Sequence, residues 1–218
     1  MRVVVYVEGS SDRAAMLALL GPLLERKRQE GIHIDFFESP EGDKKTSVLT
    51  KVPKRAAVIV RNDPSAIVVA MPDLYPKNKA FPHETFEELK AGILKNFDEA
   101  LQARGRKGDA RLKDRFKVFC FKYDLEALIL AAKEALRDRL GVKSLSVTWR
   151  IPVEDQNHRR PPKRIVEELF TQHSKSYRDT VDAPLILGAS KYQDIAGQCP
   201  QCFKPFVQFL ASLPRGKH

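Results

Sequence analysis

Val3-Val4-Val5-Tyr6-Val7-Glu8-Gly9-Ser10-Ser11-Asp12 decides the fold. The apolar, largely β-branched run without polar alternation reads as a strand buried on both faces, as in a parallel sheet. It stops at an acid, Glu8, and passes into a Gly9-Ser10-Ser11 turn, in which either serine can cap the helix that follows. Met16, Leu19, Leu20, Leu23 and Leu24 then fall at i, i+3, i+4, i+7 and i+8, a single apolar stripe.

The same grammar recurs outward from this unit. Residues 32–37 alternate like a strand, a polar loop spans 40–45, and a helix is expected near 46–61. Ala66-Ile67-Val68-Val69-Ala70-Met71 is a second buried apolar run, stopped by Pro72-Asp73. Residues 84–103 carry Phe86, Leu89, Ile93, Leu94 and Phe97 at helical spacing, 116–121 read as a strand and 124–139 as an Ala/Leu-rich helix. Helices are expected near 163–173 and 201–213, with an irregular region holding Pro152, Pro161, Pro162 and Pro184. Strands alternating with helices, without hairpin signals, predict an α/β fold with a mostly parallel sheet flanked by helices on both faces. Residues 1–140 are expected to form this Rossmann-like core, and 141–218 an irregular and helical C-terminal extension packed on the same domain.

A chain of 218 residues that is 43% hydrophobic has enough apolar material for one core. No run approaches the roughly 18 consecutive apolar residues of a membrane span. The N-terminal run is too short for a signal peptide, so a cytoplasmic location without membrane contact is expected. Cys120, Cys199 and Cys202 are read as thiols. The lone Cys199-Pro-Gln-Cys202 has too few companions for a zinc knuckle.

The formal charge of +10 is unevenly placed. Arg104, Arg106, Lys107, Arg111, Lys113, Arg115, Lys117 and Lys122 stand against only Asp109 and Asp114 in that stretch. A second cluster is Arg159-Arg160-Pro161-Pro162-Lys163-Arg164. Such blocks suit a polyanion, whose condensed counterions are released on binding. Arg104, Arg106, Lys107, Arg111, Arg159, Arg160 and Arg164 are therefore the expected nucleic-acid contacts, with DNA preferred to RNA as the partner.

Three apolar strands each run into carboxylates: the first into Glu8, the second into Asp73, the third into Asp124 and Glu126. Ligands of open parallel sheets bind outside the carboxyl ends of the strands. If the strands are neighbours these acids converge, with Asp12 one helical turn beyond Glu8. Clustered carboxylates need a counter-charge, and Mg²⁺ (or Mn²⁺) fits where substrate phosphates complete its shell. Each acid also has a plainer reading: Asp12 as a helix-dipole partner, Asp73 as a turn former, Glu126 as a surface helix residue.

Val7-Glu8-Gly9-Ser10-Ser11-Asp12 resembles the opening motif of the Toprim superfamily, and Pro72-Asp73-Leu74-Tyr75 resembles its Asp-x-Asp element with Tyr75 in place of the second acid. That departure is similar to Toprim nucleases of the overcoming-lysogenization-defect type. Tyr123-Asp124-Leu125-Glu126-Ala127-Leu128, Pro152-Val153-Glu154-Asp155, Pro161-Pro162-Lys163-Arg164 and Cys199-Pro200 resemble elements of a group of small stand-alone Toprim-like proteins. The resemblance implies a Toprim-type α/β core and a metal-dependent nuclease acting on nucleic acid. It also implies pairing with an AAA- or ABC-type ATPase in bacterial defence against foreign DNA. No GxxxxGK[ST] stands in the sequence, so ATP hydrolysis is expected from that partner.

On this resemblance Glu8 is general base or metal ligand, Asp12 and Asp73 hold one Mg²⁺, Glu126 a second, and Lys163 or Arg164 meets charge on the phosphate. Lys163 reads equally as a DNA-positioning residue, and Glu154 and Asp155 as further ligands or a cap. Two alternatives stand beside the nuclease: a non-catalytic Toprim-fold binding or sensor subunit, and an RNA-processing Toprim endonuclease.

Overall fold

Residues 1–105 and 109–215 are described by the structure, a computed structural model. Four parallel strands, β1 (Arg2–Val7), β2 (His33–Glu38), β3 (Ala66–Ala70) and β4 (Phe116–Val118), form one sheet in the order β2-β1-β3-β4. The expected α/β fold with a parallel sheet flanked by helices is what the chain adopts. Val5 is the register partner of Phe36 in β2 and of Val69 in β3. Central β1 is buried from Val3 to Val7, which is why its sequence shows no polar alternation. Edge strand β2 alternates buried and exposed over its first four residues.

The chain steps from β1 to β2 in one lateral direction and from β2 back across β1 to β3 in the other. Right-handed crossovers then send the connecting helices to opposite faces. The reversal also makes a topological switch point between β1 and β3.

Two compact units make up the chain: Met1–Gly9, Leu24–Cys120 and the residues from Leu213 form one, and Ser10–Leu23 with Phe121–Ser212 form the other. Helix α1 (Ser10–Gln29) contributes to both. In the first unit α2 (Lys44–Asn62) is capped by Asp43, whose side chain accepts the Thr46 N–H at 2.7 Å. It buries Val48, Leu49, Val52, Ala56 and Val60, and α3 (Phe86–Gln102), started by a Thr85–Glu88 capping box, packs beside it. The Phe97 ring of α3 stacks on Phe116 of β4 at 4.5 Å, and the short α4 (Ala110–Lys113) leads into that strand.

Pro53 lies inside α2 and supplies no N–H to the carbonyl four residues earlier, that of Leu49. Asn96 of α3 fills the gap, its Nδ2 donating to Leu49 O at 2.9 Å. Asn96→Ala should therefore leave a buried carbonyl unsatisfied and lower unfolding free energy by about 1–3 kcal/mol in a urea titration. A change within a few tenths of a kcal/mol would mean water replaces the amide.

The second unit is helical: α5 (Glu126–Ala131), α6 (Lys133–Leu140), α7 (Pro162–Gln172), α8 (Asp179–Gly188), α9 (Tyr192–Gln198) and α10 (Phe203–Ser212). Its core includes Leu128, Ile129, Leu136, Val166, Leu169, Phe170, Phe203 and Phe206. Asp182 of α8 is 2% exposed and accepts both Arg139 Nε at 2.9 Å and Nη2 at 2.6 Å, fastening α6 to α8.

Three local expectations change. The strand expected over 116–121 ends at Val118. The helix expected over 124–139 is broken at Ala132 (φ −82°, ψ 45°) into α5 and α6. Two helices, α8 and α9, occupy sequence expected to be irregular, α8 with Pro184 inside it. No helix of the described residues is long and apolar enough to cross a membrane.

Candidate functional site

In the first unit three loops meet at the carboxyl edge of the sheet. β1 delivers Glu8 and β3 delivers Asp73, the two strand ends that flank the switch point. The Asp73 N–H donates to Glu8 Oε1 at 3.0 Å, so the sheet register joins the two acids the strand ends had suggested. The loop after β2 closes on the same place, with Ser39 Oγ donating to the Glu8 carbonyl at 2.9 Å.

From that loop α2 brings a residue the sequence reading did not single out. Lys45 is only 9% exposed and donates through Nζ to the carbonyl of Pro76, three residues beyond Asp73. Its ammonium acts electrostatically on both Glu8 and Asp73. Lys44 lies across Gly9, where a Cβ added to the glycine would stand 3.0 Å from Lys44 Nζ. Burial pushes the Glu8 carboxyl above the usual carboxylate range, against the pull of the Asp73 N–H and of Lys45 and Lys44. Burial likewise pushes Lys45 down, against Glu8 and Asp73, which favour its charged form.

Tyr75, at the position of a second acid, sends its hydroxyl to Glu84 O at 2.7 Å and braces the loop. His83 is a satisfied core histidine, with Phe81 O at 3.1 Å and Leu74 O at 3.3 Å from its ring nitrogens. Asp12 stands in the first turn of α1, where a carboxylate also suits the helix dipole.

The second unit holds its own carboxylate pair, Asp124 and Glu126. The Lys163 N–H, in the first turn of α7, donates to Asp124, so the carboxylate also faces a helix N-terminus. Asp124 Oδ1 is sealed from water with no hydrogen-bond partner. Burial and the neighbouring Glu126 charge push the Asp124 carboxyl up to about 8, against Lys163. Glu126, 3% exposed, is raised by burial too, opposed by Lys163 and by Tyr177. Burial opposes the charge of Lys163, but Glu126, Asp179 and Asp124 outweigh it and hold the ammonium above the usual lysine value. Its Nζ lies 3.9 Å from Asp179 Oδ2. Asp124 was among the expected strand-end acids, beside Glu126, whereas Tyr177 and Asp179 are additions to the expected set. Both additions come from a stretch without a motif.

Glu154 caps rather than faces a ligand: its carboxylate accepts the N–H groups of Gln201 (2.6 Å), Cys202 (2.8 Å) and Phe203 (3.3 Å) at the start of α10. Cys199-Pro-Gln-Cys202 is the turn feeding that cap, and burial with Glu154 nearby pushes the Cys199 thiol up. Glu154→Leu should strand these three donors and cost about 3 kcal/mol or more of stability in a denaturant titration. A smaller loss than for a surface glutamate would show that α10 is held without it.

The basic residues divide by how their charge is used. Arg104 and Arg111 are exposed, although Arg104 Nη1 also donates to Ala100 O at 2.9 Å. Arg106 and Lys107 lie outside the described residues. Arg115, counted with the basic stretch, is spent on structure, donating to the carbonyls of Val60, Asp63 and Ala66. Lys113 pairs with Asp98 at 2.6 Å and Lys122 with Asp155 at 3.0 Å. Arg159 is exposed, while Arg160 (2.7 Å) and Arg164 (3.2 Å) share Glu168.

The oxygen donors suit a hard divalent cation, which needs one or two protein carboxylates when phosphates complete its shell. Among the described residues no group of three or more His, Cys, Asp or Glu side chains is placed to hold a metal ion. Glu8 with Asp73, and Asp124 with Glu126, are each donor pairs. They fit a cation bound together with a phosphate-bearing substrate, not a closed protein cage.

No curated protein matches the sequence. Among solved structures, the C-terminal region of the Burkholderia pseudomallei OLD protein is 15% identical with a TM-score of 0.45, covering 96% of each chain. The C-terminal region of the Xanthomonas campestris pv. campestris OLD protein is 11% identical with a TM-score of 0.42, covering 96% of this chain and 95% of that one. Likenesses of this size assign neither a mechanism nor site residues. The sequence itself is more specific: the family model described as Domain of unknown function (DUF4276) matches residues 7–211, nearly the whole chain, and the chain belongs to that family.

Proposed function

We propose that this chain is a metal-dependent nucleic-acid phosphodiesterase of Toprim type, the effector of an ATPase-coupled system of bacterial defence. The observation that carries the reading is the Glu8–Asp73 pair: two acids at the carboxyl ends of the strands flanking the switch point, tied by the 3.0 Å bond from Asp73 N–H to Glu8. Binding of a phosphate does not by itself require clustered acids facing it, since like charges repel. The ordered Toprim-like motifs along the chain support the same reading, and the ATPase partner rests on them alone.

In this proposal Glu8 and Asp73 hold Mg²⁺ or Mn²⁺ in the first unit, and Asp12, four residues beyond Glu8, is the further candidate ligand. Glu126 with Asp124 holds a cation in the second. Bound cations of this kind lower the pKa of water and stabilise the oxygens of an in-line displacement at phosphorus. Glu8 is suited to take the proton of an attacking water, because burial makes its carboxylate more basic than usual. Lys163, held above the usual lysine value by the acids around it, stays ionised and is suited to neutralise a nucleic-acid phosphate. Arg104, Arg106, Lys107, Arg111, Arg159, Arg160 and Arg164 are proposed to track the backbone.

Incubating the protein with labelled DNA and labelled RNA, in Mg²⁺, Mn²⁺ or EDTA, tests this directly. Cleavage that EDTA stops is the expected result, with DNA cut faster than RNA; faster cutting of RNA moves the assignment to RNA processing. One observation favours a non-catalytic sensor instead: Tyr75 stands in place of a second acid and its hydroxyl is committed to Glu84. A chain that binds nucleic acid, binds no divalent cation and cuts nothing beside its ATPase would be that sensor.

A further inference from the structure

We propose that Trp149 is a base-stacking platform, and that the cleft it lines in the second unit takes one unpaired base of a single-stranded nucleic acid. The inference rests on the reading of this chain as a nucleic-acid binder and goes beyond it. Phosphate contacts position a strand but read nothing of its bases.

Trp149 is the one tryptophan of the sequence, and it is half-buried. Leu145, Val147 and Trp149 alternate with exposed neighbours at the period of a strand, although the segment lies outside the four strands. It ends at Ile151, 78% exposed, the most exposed large hydrophobic side chain among the described residues. A single apolar side chain on a surface is ordinary. Here the indole also lines a cleft of about 290 Å³, together with Arg150, Arg160 and the buried Ile165 of α7. That is small against the usual ligand pocket of about 300–1,000 Å³, and it suits one base.

A buried side chain fixes the backbone of the platform. Gln156, 7% exposed, accepts the Arg150 N–H through Oε1 at 3.2 Å. Its Nε2 donates to Arg150 O at 2.9 Å and to Val153 O at 3.0 Å. One amide thus does for this segment what a neighbouring strand would do, and Trp149 is carried on a pinned backbone. Arg160 is held as firmly. Its Nε and Nη2 donate to Glu168 at 3.1 and 2.7 Å, and its Nη1 to Thr148 O at 3.4 Å. Its charge is shared with Glu168, but its plane remains a surface on which a base can stack.

The charge of the same stretch selects the occupant. Its acids are committed: Glu154 to the start of α10, Asp155 to Lys122 and Gln201, and Glu168 to Arg160 and Arg164. Arg150 and Arg159 are exposed. What remains is a positive surface with an aromatic face set in it. A polyanion whose every residue carries a flat apolar face meets both features, and a nucleic acid with unpaired bases is that polyanion. In a duplex those faces are already stacked on one another.

Because Trp149 is the only tryptophan, its emission reports the site directly. The parent, Trp149→Leu and Trp149→Phe are titrated with a thymidine oligonucleotide and with a blunt duplex, in EDTA to prevent cleavage. Filter binding across a salt series gives the affinities. The single strand should quench the parent's emission saturably, and the duplex much less at equal occupancy. Trp149→Leu keeps apolar bulk and should bind the single strand roughly tenfold more weakly, with duplex affinity and salt slope unchanged. Trp149→Phe should recover most of that loss, since its ring still stacks. A tryptophan that only supports the fold predicts that both affinities fall together with melting temperature, and this result overturns the proposal. If the parent binds the oligonucleotide without a change in emission, and Trp149→Leu binds as the parent does, this inference alone is overturned. Binding of neither oligonucleotide nor duplex overturns the nucleic-acid reading and this inference with it. Emission that responds to anionic phospholipid vesicles and not to the oligonucleotide assigns the cleft to a lipid surface and overturns the proposal too. Should Trp149→Leu not fold, the parent's own emission decides, single strand against duplex.

Discussion

Glu8→Gln is expected to abolish metal-dependent cleavage while leaving melting temperature and nucleic-acid binding close to the parent's. The glutamine keeps the shape of the side chain, and its amide oxygen still accepts the Asp73 N–H. What it loses is a negative charge and a basic lone pair. Two stability effects oppose one another: a buried carboxylate no longer has to be desolvated, but Lys45 loses one of the two acids that keep it charged. Loss of a general base alone removes on the order of 10²–10⁴ in rate, and loss of a cation donor adds to it. Binding should tighten slightly, since one charge that repels phosphate is gone. Asp73→Asn should lose activity as well, with partial recovery in Mn²⁺ if its defect lies in cation affinity. Because effectors coupled to an ATPase can be silent alone, the comparison belongs beside that partner too. A Glu8→Gln protein that cuts as the parent does, in either setting, removes the catalytic reading.

Glu8 and Asp73 were legible in the sequence because each followed an apolar, β-branched run that reads as a buried strand. Val3–Val7 and Ala66–Met71 show no alternation, and the structure places both in the middle of the sheet. Neighbouring central strands in register bring their carboxyl ends together, so joining Glu8 to Asp73 needed only the right strand order. Lys45 was not legible. Glu41-Gly42-Asp43-Lys44-Lys45 reads as a solvated loop, and nothing local distinguishes exposed Lys44 from buried Lys45. Burial there depends on the loop after β3 folding back to offer the Pro76 carbonyl, a contact across 31 residues.

The helical unit was less legible for a related reason. Pro184 and the mixed polarity of 179–198 hide α8 and α9, whose stability comes from packing and from the Asp182–Arg139 pair rather than from propensity. The break at Ala132 lies between Ala131 and Lys133, all three good helix formers, so sequence pattern favours an unbroken helix. Arg115 errs in the opposite direction: a basic residue inside a basic stretch reads as a phosphate contact, yet its guanidinium closes the carbonyls at the end of α2 and the start of β3.

The division of the arginines between exposed and committed ones fixes how nucleic-acid binding should respond to salt. Affinity should fall steeply, with log K losing about 0.9 per phosphate contact for each tenfold rise in salt. Four such contacts weaken binding roughly a hundredfold between 50 and 200 mM salt. Replacing exposed Arg159 should flatten the slope by nearly the full increment for one contact. Arg160 and Arg164 should not behave so, because Glu168 already neutralises one charge between them. Replacing both should flatten the slope by about one contact rather than two. In the first unit Arg104→Ala with Arg111→Ala should remove about two contacts, whereas Arg115→Ala should mainly lower the melting temperature. Filter binding of one labelled duplex across a salt series reads all of these. Were Arg115→Ala to flatten the slope as much as the Arg104 and Arg111 pair, or were the parent's binding indifferent to salt, the assignment of exposed arginines to phosphate would fail.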